Sequence, residues 1–266
     1  MRIDHADSPI GTSISEINLS HCIDANGCLD EQTLAAIRTA FYSRAVLCLR
    51  GQSLSPDQLL AVARGFGEPD EHFLGHYRHP EHANILLVSN IQADGKNVGF
   101  ADAGRVWHSD GSYMQTPVAI SMLYAIEVPV GDDGQSLGST RFCSAAHAYD
   151  ALDSAMKQRI EPLQVLHQVA GRREAIGTGL KKDRAHEQAQ PDALHPAVRV
   201  HSYTARRYLF VNKGECTGIS GMKEGDALHL IEELSDCIAQ PQNQYVHQWK
   251  VGDLLIWDNQ AVQHLA

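Results

Sequence analysis

No run in this chain approaches the roughly 18 apolar residues that a membrane span requires. The first ten residues, Met1 to Ile10, carry Asp4, His5 and Asp7 and lack the apolar core of a secretory signal. Six cysteines are scattered without C-x-x-C spacing, which argues against a structural zinc knot and, in 266 residues, against a disulfide scaffold. Positive charge is also scarce. Lys and Arg total 22 against 32 Asp and Glu, for a net charge of −10, and the basic residues gather only in pairs such as Arg172-Arg173, Lys181-Lys182 and Arg206-Arg207. That is a poor match to a phosphate backbone, so nucleic acid is not an expected partner. There is no internal repeat and no low-complexity tract. These absences leave a soluble, cytoplasmic protein with reduced, mostly buried thiols and no membrane partner.

What is present is ordinary globular material: 43% hydrophobic and 20% charged residues, enough for one large domain or two small ones. Asp30 to Arg44 reads as an amphipathic helix with Leu34, Ile37 and Phe41 on one face and Asp30 as its cap. Ala45 to Leu49 reads as a buried strand. Ser55-Pro56-Asp57-Gln58 opens a second helix with a capping box, closed by Gly65 and Gly67. Further strands are expected at Asn84 to Ile91, Val118 to Ile126, Tyr208 to Val211, Gln244 to Lys250 and Leu254 to Trp257. Helices are expected at Ser144 to Ile160 and Lys223 to Cys237. The polar stretch Lys181 to His195 reads as a long loop. Many strands with few helices suggest an α+β chain with an antiparallel jelly-roll core flanked by helices.

Two H-x-D triplets occur, His5-Ala6-Asp7 and His108-Ser109-Asp110. In such a triplet the imidazole and the carboxylate share one side of an extended segment. Chance alone supplies about one triplet in a chain of this composition, so the motif needs context. His5 and Asp7 sit at a terminus expected to be loose. His108 and Asp110 lie between a Gly-rich loop and a strand, and a further histidine, His264, follows the apolar run Leu254 to Trp257 through the polar turn Asp258-Asn259. Two histidines and a carboxylate on one face of an octahedral ion leave three positions open, the arrangement iron(II) oxygenases use.

The surrounding residues carry a resemblance. Trp107-His108-Ser109-Asp110, Ser121-Met122-Leu123-Tyr124, Gly138-Ser139-Thr140-Arg141-Phe142, His195-Pro196-Ala197-Val198-Arg199, Leu209-Phe210-Val211-Asn212 and Val251-Gly252-Asp253 through Trp257-Asp258-Asn259 to His264 follow one another in order. Together they resemble the taurine and 2,4-dichlorophenoxyacetate dioxygenase (TauD/TfdA) family. The resemblance implies a single domain over residues 1–266 with a double-stranded β-helix fold. It implies Fe(II) held by His108, Asp110 and His264, with 2-oxoglutarate and O2 as cosubstrates. Oxidative decarboxylation to succinate and CO2 would drive hydrogen abstraction from a small, anionic organic substrate. Asp110 argues for hydroxylation, because halogenases of this kind have a small residue there.

The resemblance also assigns Thr140 to the distal carboxylate of 2-oxoglutarate and places Trp257 near the metal, where plain core packing is the competing reading. The loop Gly131 to Ser139 is longer than the family's turn before the threonine. The asparagine with which the taurine-specific member binds its substrate falls at Gly104. The family's carboxylate-pairing arginine lies beyond the distal histidine, so the gene is expected to encode an arginine after Ala266, with Arg199 and Arg207 as substitutes. His72, His76, His79 and His82 cluster where the family places substrate contacts. Of these His76 is retained as a substrate-binding candidate, together with Asn90 and Trp257. His147, His167, His186 and His229 read as bystanders. A homo-oligomer is compatible with the sequence. Two rival classes are a non-catalytic metal-binding jelly roll and a zinc hydrolase, the latter without a general base in motif context.

Overall fold

The computed structural model describes residues 1–71, 75–101, 104–169, 171–172 and 192–266. Its largest sheet has five strands in the order β1 (Arg2–His5), β2 (Thr12–Ser15), β3 (Val46–Leu49), β14 (Leu254–Asp258) and β6 (Ile120–Tyr124). β14 pairs antiparallel to both neighbours, with Trp257 opposite Val46 on one side and Ser121 on the other. A second sheet carries β13 (Gln244–Gln248), β7 (Ser139–Ser144) and β15 (Val262–Leu265). Side chains from the two sheets meet in one buried cluster containing Val46, Cys48, Leu255, Trp257, Phe142 and Val262, so the sheets face each other as the halves of a jelly roll.

The outer face of the first sheet is covered as well. Helix α1 (Glu31–Arg44), capped by Asp30, and α2 (Pro56–Arg64) lay Ile37, Phe41 and Val62 against Leu47, Leu49, Leu254 and Ile256. This two-sided burial is why β3 and β14 are continuous apolar runs rather than alternating ones. The capping box foreseen at Ser55 is formed on both sides, Gln58 N–H to Ser55 Oγ and Ser55 N–H to Gln58 Oε1.

A third cluster joins α3 (Ala145–Ala151), α4 (Ser154–Ile160) and α5 (Glu224–Ile238) to β8 (Gln164–His167), β10 (Val198–Val200), β11 (Arg207–Leu209) and β12 (Cys216–Ile219). β8 also pairs with β9 (Ala193–Pro196). A small hairpin, β4 (Gln92–Ala93) with β5 (Lys96–Asn97), completes the strands.

Several expectations change. Asn84 to Ile91 is not a strand; its backbone is shared between single bonds to Tyr77, His79, Val98 and Phe100, with one isolated bridge, Arg78 to Leu86. The helix expected over Ser144 to Ile160 breaks at Leu152, which is extended, because the Asp153 carboxylate caps a new helix through the Met156 N–H. The N-terminus is not loose: β1 pairs along its length with β2, and His5 contacts Thr12 at 3.0 Å. Of the stretch read as a loop, 181–191 lies outside the described residues, and its end enters β9 with Ala193 and His195 buried. All six cysteines are free thiols; Cys48, Cys143 and Cys216 are buried and Cys28 is exposed. Among the described residues no helix is long and apolar enough to cross a membrane.

Candidate metal centre

His108 and His264 meet because their backbones exchange two hydrogen bonds in an isolated antiparallel bridge, at 3.2 and 2.9 Å. The bridge sets the two imidazoles side by side, 4.2 Å between ring centroids. Asp110 follows two residues after His108 and just before Gly111, whose φ of +61° turns the chain sharply. A Cβ at Gly111 would lie 2.8 Å from Val118 Cγ2, so glycine is required there on both counts.

The ligand atoms converge. Asp110 Oδ1 lies 3.5 Å from His108 Nε2 and 3.7 Å from His264 Nε2. With bonds of about 2.1 Å, donors around one ion lie about 3.0–3.4 Å apart, so a small contraction seats an ion. His108 Nδ1 stands 2.7 Å from the Val106 carbonyl, which can only accept. The proton is therefore on Nδ1, and Nε2 keeps its lone pair facing Asp110. Both histidines are buried, and the His264 ring packs between Trp257 and Phe142 at 5.0 and 5.9 Å. Burial pushes the Asp110 carboxyl up. The His264 and His108 imidazoles and the Ser121 hydroxyl outweigh that and hold it well below the usual carboxylate range. The donor set therefore fits a divalent cation: two imidazole nitrogens and one ionised carboxylate converge on one point.

Cys48, His247 and Asp253 form a second cluster of donor atoms, fully buried between the sheets. It differs in one respect. The Arg50 guanidinium lies 2.5 Å from Asp253 Oδ2 and already neutralises it, while Tyr245 Oη contacts His247 Nδ1 at 3.2 Å. A cation there would displace one already in place. The exclusion is electrostatic.

Thr140 stands on β7 two residues before Phe142, so both face the interior, and Phe142 lies opposite His264 in register. Its Oγ1 accepts a hydrogen bond from Trp249 Nε1 at 3.0 Å, a partner the sequence reading did not single out. Trp257 is both things expected of it: it is core, and it lies against a candidate ligand. Its buried indole N–H has no partner among the described residues, a donor that a bound group could satisfy.

The two loop candidates do not join this centre through any contact among the described residues. His76 is exposed and packs on Tyr77 at 4.1 Å, and Asn90 is exposed in a segment that forms no strand. His72 lies outside the described residues, as does His186. Arg207 is exposed and paired with Glu161, because its position on β11 faces out beside Val200, so it does not enter the core. Arg199 is half-buried with its guanidinium over the Phe210 ring at 4.7 Å. Gly104 has φ +79°, and a Cβ there would lie 2.8 Å from Ala266 Cβ, so a side chain at this position is excluded. His167, read as a bystander, is fully buried among Ser112, Phe210 and Cys216.

Two further residues touch the centre: Ser121 Oγ donates to Asp110 Oδ2 at 2.7 Å, and Asn259 Oδ1 accepts from the Asp110 N–H at 3.0 Å. Both stand in the motifs read from the sequence, but nothing in their spacing announces that β6 and the turn after β14 meet at Asp110.

A family profile described as "Taurine catabolism dioxygenase TauD, TfdA family" matches residues 6–266. The alpha-ketoglutarate-dependent 2,4-dichlorophenoxyacetate dioxygenase of Burkholderia sp. (strain RASC) is 33% identical over 249 residues, covering 90% of this chain and 81% of that one. The pentalenolactone F synthase of Streptomyces arenae is 29% identical, covering 92% and 84%. The crystal structure of AAD-2 in complex with Mn(II) and N-oxalylglycine superposes with a TM-score of 0.79 at 27% identity, covering 99% of this chain and 91% of that one. A jelly roll with this arrangement of strands, matched by the profile from residue 6 to residue 266, makes the chain a member of the TauD/TfdA dioxygenase family.

Proposed function

We propose that this family member is a non-haem iron(II), 2-oxoglutarate-dependent dioxygenase that hydroxylates a small organic anion. His108, Asp110 and His264 hold its metal. The reading takes residues 1–266 as one dioxygenase domain, since a single buried cluster runs from Ile10 to Val262. The observation that carries it is the convergence of His108 Nε2, His264 Nε2 and Asp110 Oδ1 within 4.8 Å of one another, with no arginine or lysine paired to the carboxylate among the described residues.

When bound, the ferrous ion couples the oxidative decarboxylation of 2-oxoglutarate to oxidation of the second substrate. The protein supplies the rest. His108 Nδ1–H donates to the Val106 carbonyl, so its Nε2 stays available as a ligand. The Thr140 oxygen accepts from Trp249, so its own proton remains to be donated to the distal carboxylate of 2-oxoglutarate. Phe142, Trp257 and Val262 wall the centre with apolar surface and keep bulk water from it.

Relatives are named for 2,4-dichlorophenoxyacetate, (S)-phenoxypropionate and a sulfate ester, which supports a small carboxylate or sulfate ester as the second substrate. The test is succinate release from 2-oxoglutarate, run with Fe(II) and O2 against aryloxyalkanoates, alkyl sulfates and sulfonates. Wild type should form succinate with at least one panel member, and His108→Ala and Asp110→Ala should lose it by orders of magnitude. Unchanged turnover in either variant would rule the assignment out.

A further inference from the structure

Asp110 is held at more points than a metal ligand needs. β6 and β14 pair so that Ile120 lies opposite Asp258 and Ser121 opposite Trp257, which brings the turn after β14 over the start of β6. Asn259, in that turn, donates its backbone N–H to the Ala119 carbonyl at 2.9 Å. Its Nδ2 donates to Ser121 Oγ at 2.9 Å, and its Oδ1 accepts from the Asp110 backbone N–H at 3.0 Å. Ser121 Oγ donates in turn to Asp110 Oδ2 at 2.7 Å.

The direction of every bond is fixed by chemistry. An ionised carboxylate can only accept, so the single Ser121 proton goes to Asp110 and the serine oxygen must accept from Asn259. That fixes which end of the Asn259 amide carries nitrogen, and its oxygen then faces the Asp110 amide proton. The three groups close a ring. The two carboxylate oxygens are thereby made unequal: Oδ1 faces both imidazoles at 3.5 and 3.7 Å, and Oδ2 is tied to the serine.

We propose that Ser121 and Asn259 are positioning residues that hold Asp110 to one-oxygen coordination and so keep a third position on the metal open. This rests on the reading that His108, Asp110 and His264 bind the metal. Three protein donor atoms on a six-coordinate ion leave two positions for a chelating 2-oxo acid and one more. A carboxylate free to turn would bring Oδ2 onto the ion and fill that position. The Ser121 hydroxyl engages Oδ2 and opposes the turn, and Asn259 orients both the hydroxyl and the Asp110 backbone.

The test titrates Mn(II) into the metal-free full chain, followed by electron paramagnetic resonance, and records the visible spectrum of the Co(II) form, whose d–d bands report the number and geometry of donors. Ser121→Ala should weaken Mn(II) binding about 10- to 100-fold and change the Co(II) spectrum, with little change in the melting temperature of the metal-free protein. Ser121→Thr keeps the hydroxyl and should restore both. Asn259→Leu should weaken binding in the same way; if it does not fold, the two Ser121 variants decide. Binding by Ser121→Ala within about twofold of wild type, an unchanged Co(II) spectrum, or no rescue by threonine overturns the proposal. His108→Ala separates the two readings. If it binds Mn(II) as wild type does, the metal assignment itself fails; if it loses binding while Ser121→Ala does not, only the positioning role fails.

Discussion

Thr140 shows how one hydroxyl is committed by its neighbour. Its oxygen accepts from the Trp249 indole, and Trp249 packs edge-on against His247, 4.5 Å between ring centroids, which limits where that indole can point. A threonine rotor without this donor would spread its proton over several directions. Trp249→Phe keeps most of the packing and removes the N–H. It should raise the KM for 2-oxoglutarate about fivefold, equivalent to about 1 kcal/mol, and leave kcat within about twofold. Steady-state succinate assays read both constants. A KM equal to that of wild type would show that Thr140 is oriented without Trp249, and a fall confined to kcat would move the indole's role to the chemical step.

Among the elements, β14 bears the most. It contributes Leu254 and Ile256 to the cluster under α1 and α2, Leu255 and Trp257 to the cluster between the sheets, and then turns through Asn259 towards His264. Helices α1 and α2 support it from outside without touching the candidate ligands. Their energetics are therefore expected to be separable from metal binding. Ser55→Ala removes one half of the α2 capping box and should cost about 1 kcal/mol of stability, lowering Tm by about 2–4 °C in a chain of this size. Mn(II) affinity should stay at the wild-type value. A parallel loss of affinity would mean that the outer helices set the position of β14, and differential scanning calorimetry alongside the metal titration distinguishes the two results.

The whole molecule has a pH dependence that one residue makes testable. Burial pushes the His167 ring down to about 3, and the adjacent His195 acts in the same direction. An unfolded histidine titrates near about 6.5. Between those values the unfolded chain takes up a proton that the folded chain refuses, so stability falls as the pH drops from about 6.5 towards 3. His167→Gln removes this contribution. Its Tm should fall less than that of wild type between about pH 7 and about pH 5, whatever its absolute stability. Melting curves that shift in parallel for the two proteins would show that His167 carries no such penalty.

Much of this was legible in the sequence, wherever a single segment carries its own instructions. The capping box at Ser55, the Asp30 cap, the apolar runs of β3 and β14, and the family likeness around His108 and Asp110 are all local. They depend on backbone hydrogen bonds and side-chain patterns within a few residues. The same locality misled at Ser144 to Ile160, where a helical pattern concealed a second cap at Asp153, and at Asn84 to Ile91, where a strand composition found no continuous partner. The sequence alone therefore determined which residues could be metal ligands and that sheets would form the core. The tertiary structure decided that the His108–His264 bridge brings the donors together, that Arg50 blocks the rival cluster at Asp253, and that Arg207 faces outward. It also decided that Ser121 and Asn259 reach Asp110 from segments 11 and 149 residues away. Contacts at such separations depend on strand register and sheet packing, which no short stretch of sequence encodes by itself.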